Sequence, residues 1–200
     1  MANVEKPVVF IDRDGTLNVE KGYLRNLEDL VLIPGAAQAV KQLNDAGIAA
    51  ILITNQSGAA RQYFPESHIQ NLHKRLLNLL AQENAFLDAV YYCPHLPNGA
   101  DSHLSKVCNC RKPAPGLIER AYSDIAHLSK ERAFMVGDKE ADMGLSINAK
   151  LRSIIVRTGY GEETLKTLRA QDVQPEFVAA DITEAVEWVL TQLKVNSLSK

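Results

Sequence analysis

Two hundred residues, 46% hydrophobic and 23% charged, describe an ordinary soluble chain long enough to bury a sizeable core in one domain, 1–200. A net charge of −2 provides no global field for nucleic acid or an anionic membrane, so neither is expected as a partner. The chain has no apolar stretch of the roughly 18 residues that span a bilayer, no secretion-signal layout over residues 1–6, no disulfide framework in its three cysteines and no spare apolar helix face, so a cytoplasmic monomer is expected.

In chain order, Val8 to Ile11 reads as a short buried strand that runs into Asp12-Arg13-Asp14-Gly15-Thr16. Asn18 to Leu30 is polar and irregular and reads as a loop. Ala36 to Asn44 has helical periodicity and is closed by Gly47. Ile48 to Ile53 is a second buried strand, followed by Thr54-Asn55-Gln56-Ser57-Gly58. A longer helix is expected from Pro65 to about Asn84, with Leu72, Leu76, Leu79 and Leu80 as its apolar stripe. Ala89 to Cys93 is a third strand, and an irregular stretch runs from Pro94 to Pro113; so long a loop inside a compact domain is usually functional or stapled.

A helix over Pro115 to Ile125, a strand over Ala133 to Val136 and a helix over Ala141 to Asn148 come next. A strand over Ser153 to Val156, a short helix over Glu163 to Arg169, an edge strand at Phe177 to Ala179 and a helix over Ile182 to Leu193 complete the pattern. The tail Asn196 to Lys200 is expected to fray, and His68, His73 and His127 read as surface or boundary residues. Strands alternating with helices predict a mainly parallel, Rossmann-like sheet in a three-layer α/β/α sandwich.

The polar residues fall where this sheet should bind ligands. Asp12 and Asp14 follow the first strand, Thr54 and Asn55 the second, and Gly137-Asp138 a later one, with Asp142 four residues on; Arg111-Lys112 closes the long loop. Residues i and i+2 of an extended segment point the same way, so Asp12 and Asp14 face one pocket unless the turn at Gly15 redirects Asp14. Crowded carboxylates need a cation, and Mg²⁺ suits oxygen donors shared with phosphate. Such a set suits phosphoryl transfer with a carboxylate nucleophile and a second group to move the proton. Each piece has a plainer alternative: a polar turn at Asp12–Thr16, a calcium loop, a helix start at Asp138 and Asp142, a solvated Lys112.

The order DRDGT, ILITN, CRKPAPG, MVGDKEAD over Pro7 to Asp142 resembles the haloacid dehalogenase-like (HAD) superfamily of aspartate-nucleophile phosphatases. The resemblance implies Asp12 as nucleophile, Asp14 as general acid and base, and Thr54 and Lys112 as holders of the transferring phosphoryl group. It implies Mg²⁺ on Asp12, Asp138 and the backbone carbonyl of Asp14. The chain from Thr16 to Thr54 is too short for a large cap domain, so an open site is expected, with selectivity left to loops.

All three cysteines bound the long loop, as Cys93-Pro94-His95 and Cys108-Asn109-Cys110. Four soft or borderline donors in two pairs meet the tetrahedral need of a structural Zn²⁺, with His103 as an alternative to His95. The plainer readings are buried thiols or a transient disulfide. The stretch CPH…CNCRKPAPG resembles the zinc-loop subgroup of the superfamily, which includes phosphatases of a heptose bisphosphate and of histidinol phosphate. The twelve residues between His95 and Cys108, and the stretches YYCPH, GDKEADM and VRTGYG, favour the heptose branch. That branch removes the C7 phosphate of D-glycero-D-manno-heptose 1,7-bisphosphate and keeps the C1 phosphate, in the supply of ADP- or GDP-activated heptose for bacterial surface polysaccharide. Keeping one phosphate calls for a second anion site, for which Arg111 is the candidate; the plainer reading is that Arg111 caps the loop or contacts a surface carboxylate. Glu20, Lys21, Gly22, Tyr23, Asn55, Gln56, Ser57 and Lys139 match positions of substrate contact in the family. Hydrolysis of histidinol phosphate is the alternative activity, and a non-catalytic zinc-stapled phosphosugar-binding module the alternative of another class.

Overall fold

The computed structural model of the protein describes the backbone of residues 5–198 and the side chains of residues 5–194. Six strands form one sheet: β1 (Lys6–Ile11), β2 (Ala49–Asn55), β3 (Ala89–Cys93), β4 (Leu128–Gly137), β5 (Arg152–Val156) and β6 (Phe177–Ala179). Their order is β3-β2-β1-β4-β5-β6, and every pairing is parallel. The helices are α1 (Ala36–Asp45), α2 (Glu66–Gln82), α3 (Gly116–Asp124), α4 (Glu140–Ala149), α5 (Gly161–Ala170) and α6 (Ile182–Leu198). Among the described residues no helix is long and apolar enough to cross a membrane.

The strands are apolar on both faces, as a doubly covered sheet demands. Val9 and Ile11 of β1, Leu52 of β2 and Phe134 and Val136 of β4 pack on α1, α2 and α6. Their neighbours Val8, Phe10, Ile51, Ile53 and Met135 pack on α3 and Leu145 of α4. A period-two alternation thus divides one run of hydrophobic residues between two cores. The expected three-layer α/β/α sandwich is the observed fold. Between Thr16 and Thr54 the chain holds only a 3-10 turn, α1 and most of β2, with no cap domain.

Four expectations need correction. β4 begins at Leu128, five residues before the expected Ala133. Its first half carries the exposed Lys130 and Glu131 and a register irregularity opposite Lys6 to Val8, so no apolar run announces it. α6 continues as helix to Leu198, past Leu193 and into the segment expected to fray; residues 199–200 and 1–4 lie outside the described residues. β2 runs through Thr54 and Asn55, two residues past the expected Ile53.

The fourth correction is His73, expected at the surface or boundary and in fact 6% exposed. It stands one residue after Leu72 on the inner face of α2, edge-on to the Tyr92 ring at 5.2 Å. Burial, with the Arg13 charge adding to it, lowers its pKa to about 3. The unfolded chain therefore takes up a proton near pH 6.5 that the folded one refuses. Stability is full above that pH and falls as the pH drops toward 3, by about 2–3 kcal/mol between pH 7 and 4.5. Urea unfolding of wild type and His73→Leu across that range checks this; the wild type should lose more stability than the variant by about that amount.

Candidate active site

The C-terminal edge of a parallel sheet where the winding reverses is the natural ligand crevice. Here the reversal lies between β1 and β4, the two strands that deliver Asp12 and Asp138. A cavity of about 300 Å³ opens there. Asp12, Asp14, Glu20, Thr54, Lys112 and Lys139 are among the residues that line it.

At its floor Lys112 is 4% exposed. Its Nζ donates to Asp12 Oδ1 at 2.7 Å, to Asp142 Oδ1 at 2.5 Å and to the Ile53 carbonyl at 2.9 Å. Burial works against its charge, but the two carboxylates outweigh it and hold the ammonium above the usual lysine range. Asn55 sets where this lysine emerges from the long loop. Its Nδ2 donates to the Lys112 carbonyl at 3.1 Å and its Oδ1 accepts from the Lys112 amide at 3.0 Å.

Asp14 lines the cavity with its carboxylate already held by neighbouring donors. Arg13 Nη2 donates to both its carboxylate oxygens at 2.9 Å, Gln56 Nε2 to Oδ2 at 2.7 Å and Asn18 Nδ2 to Oδ1 at 3.1 Å. Burial pushes its pKa up, but the Arg13 charge and these donors more than reverse that, and the carboxyl lies below its ordinary range. Gln56 also donates to Thr54 Oγ1 at 3.0 Å and so links the two strand ends. The Asp14 carbonyl accepts from Lys139 Nζ at 3.1 Å, and the same ammonium meets Glu20 Oε2 at 2.7 Å.

Asp138 is fully buried. Its Oδ2 accepts from the Tyr160 amide at 2.8 Å, while among the described residues Oδ1 has no hydrogen-bond partner and only the Lys139 charge at 3.5 Å. Burial, then the nearby charge of Asp12, pushes its pKa up to about 7. Gly15 and Gly159, both at positive φ, let the backbone close over this carboxyl. A Cβ on either would stand 2.1 Å from Asp138 Oδ2.

Carboxylate oxygens of Asp12, Asp138 and Asp142 lie within 4.8 Å of one another. Three negative groups so close, one with an unpartnered buried oxygen, fit a hard divalent cation. Cys93, His95, Cys108 and Cys110 form a second cluster. The Sγ atoms are 3.2 to 3.6 Å apart, too far for a disulfide, and His95 Nδ1 is 3.2 Å from Cys110 Sγ. These spacings suit a tetrahedral ion. The fourth donor is His95; His103 stands outside the cluster. Arg111, next to Cys110, donates from Nη1 to the His95 carbonyl at 3.1 Å and lines the cavity.

Gly22, Tyr23, Gln56 and Ser57 also line the cavity, as expected. Lys21 is not among the lining residues; it is exposed, with its Nζ 3.9 Å from Asp29 Oδ1. Sequence reading missed Arg13, 1% exposed, and the amide of Tyr160. A cation between two aspartates was the available signal for the first; the GYG turn after β5 was the signal for the second.

Residues 109–185 match the family described as HAD-hydrolase-like. A relative from Thermosynechococcus vestitus, named D-glycero-D-manno-heptose-1,7-bisphosphate 7-phosphatase, is 46% identical over 94% of this chain and 97% of its own length. The chain belongs to this family of HAD-like phosphatases. Another member, the Escherichia coli K12 D-glycero-beta-D-manno-heptose-1,7-bisphosphate 7-phosphatase, is 36% identical over 94% of this chain and 90% of its own. A crystal structure of the B. bronchiseptica D,D-heptose 1,7-bisphosphate phosphatase, complexed with magnesium and phosphate, superposes with a TM-score of 0.76. It is 32% identical and covers 93% of this chain and 99% of that one.

Proposed function

We propose that the protein hydrolyses the C7 phosphate of D-glycero-D-manno-heptose 1,7-bisphosphate and releases heptose 1-phosphate and inorganic phosphate. The observation that carries this reading is Asp12 buried beside Lys112, Asp138 and Asp142 at the sheet edge, in a chain 46% identical to a relative of that name. One sheet with two shared cores supports a single domain over the described residues.

In this reading a carboxylate oxygen of Asp12 attacks phosphorus, an Asp–O–P bond forms, and the bond from phosphorus to the C7 oxygen breaks. Asp14 gives its proton to that leaving oxygen. Like charge on the arriving phosphate would push the Asp14 pKa upward, against the lowering by Arg13. Asp14 then takes a proton from the water that attacks the aspartyl phosphate, and phosphate leaves. Thr54 and Lys112 steady the phosphoryl oxygens, and Asn55 acts through the Lys112 backbone. Asp12, Asp138 and the Asp14 carbonyl would hold Mg²⁺, which supplies charge neutralisation at the phosphoryl oxygens.

Glu20, Gly22, Tyr23, Gln56, Ser57 and Lys139 would frame the sugar, and Arg111 would take the retained C1 phosphate through its planar fork. Cys93, His95, Cys108 and Cys110 would hold a structural Zn²⁺ that fixes the loop bearing Arg111 and Lys112. The test is a phosphate-release screen over heptose 1,7-bisphosphate, other sugar bisphosphates and histidinol phosphate, with and without Mg²⁺, with metal analysis of the same preparation. Mg²⁺-dependent loss of the C7 phosphate alone, and one zinc per chain, are expected. Preference for histidinol phosphate, or loss of the C1 phosphate first, overturns the reading.

A further inference from the structure

Two loops that share no backbone hydrogen bond among the described residues meet beside the cavity: residues 20–25 after β1, which give Glu20, Gly22 and Tyr23 to its lining, and residues 57–64 after β2, which give Ser57. Four side chains alternate across the gap between them. Tyr23 and Tyr63 meet edge to face, with ring centroids 4.9 Å apart and planes at 76°. The Arg25 guanidinium lies 4.8 Å from the Tyr63 centroid, and that of Arg61 lies 5.6 Å from the Tyr23 centroid. Each loop thus contributes one ring and one cation, and each cation covers the ring of the other loop. Both rings are about two-fifths exposed, so neither is held by a hydrophobic core.

The backbone is shaped to make this meeting possible. Gln62 has a φ of 58°, a region that non-glycine residues seldom enter, and this bend directs the following Tyr63 toward Tyr23. The bend is secured from behind: the Tyr63 amide donates to the Gly58 carbonyl at 3.0 Å, and the Gln62 side chain donates to the Ala100 carbonyl at 3.2 Å. The other loop turns at Gly22, φ 71°, and its Leu24 carbonyl is 3.0 Å from His68 Nε2 on α2. Tyr23 lines the cavity; Tyr63 does not.

We propose that Tyr63, clasped with Arg25 and Arg61, is a positioning residue for substrate: it holds the Tyr23 ring in place as the sugar-facing wall before the sugar arrives. The proposal rests on the sugar-bisphosphate reading given above. An exposed tyrosine with no such clasp must be immobilised by the substrate itself, and that ordering cost is drawn from binding. Among the described residues, no hydrogen bond, ion pair or ring contact joins Asp12 or Lys112 to Arg25, Arg61, Tyr23 or Tyr63. Loss of Tyr63 should therefore weaken substrate binding and leave the chemical step alone.

The test compares wild type, Tyr63→Ala and Tyr63→Phe. Heptose 1,7-bisphosphate is the substrate, inorganic phosphate the competitive inhibitor, and hydrogen exchange of the amides of residues 21–25 a readout apart from turnover. Tyr63→Ala should raise KM about three- to tenfold with kcat within about twofold, leave phosphate inhibition unchanged, and speed exchange in residues 21–25. Tyr63→Phe keeps the ring contacts and should match wild type throughout. Unchanged KM and exchange in Tyr63→Ala overturn the proposal, as does an equal defect in Tyr63→Phe or a parallel loss of phosphate inhibition. If wild type leaves heptose bisphosphate intact, the substrate reading has failed, and exchange in residues 21–25 still decides whether the clasp exists.

Discussion

Replacing Asp12 with Asn is expected to lower turnover by about 10⁴-fold or more while the chain stays folded. A carboxamide fills the same volume at the end of β1, so the packing of Ile11 and Val136 beneath it is undisturbed. It is a far weaker nucleophile than a carboxylate and cannot form the acyl phosphate. The electrostatic consequences oppose one another. Lys112 loses one charged partner at 2.7 Å, yet Asp138 loses the like charge that helps raise its pKa. Steady-state kinetics and a thermal melt on one preparation check both halves. A melt within a few degrees of wild type with turnover gone is expected; retained turnover, or unfolding, is not.

Lys112→Met should damage both activity and stability. In wild type its ammonium sits between two buried carboxylates and a carbonyl. Removing it leaves Asp12 and Asp142 buried without their cation, a loss of about 3–5 kcal/mol for a broken buried pair. Loss of the donor proposed for the phosphoryl oxygens should lower kcat by about 10²–10³-fold in addition. Adding Asp142→Asn removes one of the stranded charges, so the double variant should recover part of the stability and none of the activity. Urea unfolding of the three proteins measures this. Equal stability of Lys112→Met and wild type would contradict the ion-pair geometry.

The parts of the fold readable in sequence were those where one physical signal dominated. Ala89–Cys93 has the expected bounds because its apolar run lies between Asp88 and Pro94, and Phe177–Ala179 because its run starts sharply after Glu176 and stops within one residue of the strand's end. The start of β4 was hidden because Lys130 and Glu131 face water and the ladder slips there. Of the site, the meeting of Asp12 and Asp138 was legible, since strand ends in a parallel sheet converge without knowledge of any side chain; Lys112 comes in from the long loop, where that rule does not reach. Partnerships were not. That Arg13 grips Asp14, that Asn55 holds the backbone of Lys112, and that His73 lies inside follow from rotation and packing, which a linear pattern does not carry. Lys21 shows the same limit in reverse: it neighbours Gly22 and Tyr23 in sequence but faces away from the cavity they line.

The most direct measurement is a rapid acid quench of the wild-type enzyme during turnover, followed by peptide mass analysis. The peptide that contains Asp12 should carry the mass of one phosphoryl group, in an amount that decays when substrate is exhausted and is absent in Asp12→Asn. Full turnover with that peptide unmodified at every quench time, or the phosphoryl group on another side chain, contradicts Asp12 as the group that receives the phosphate.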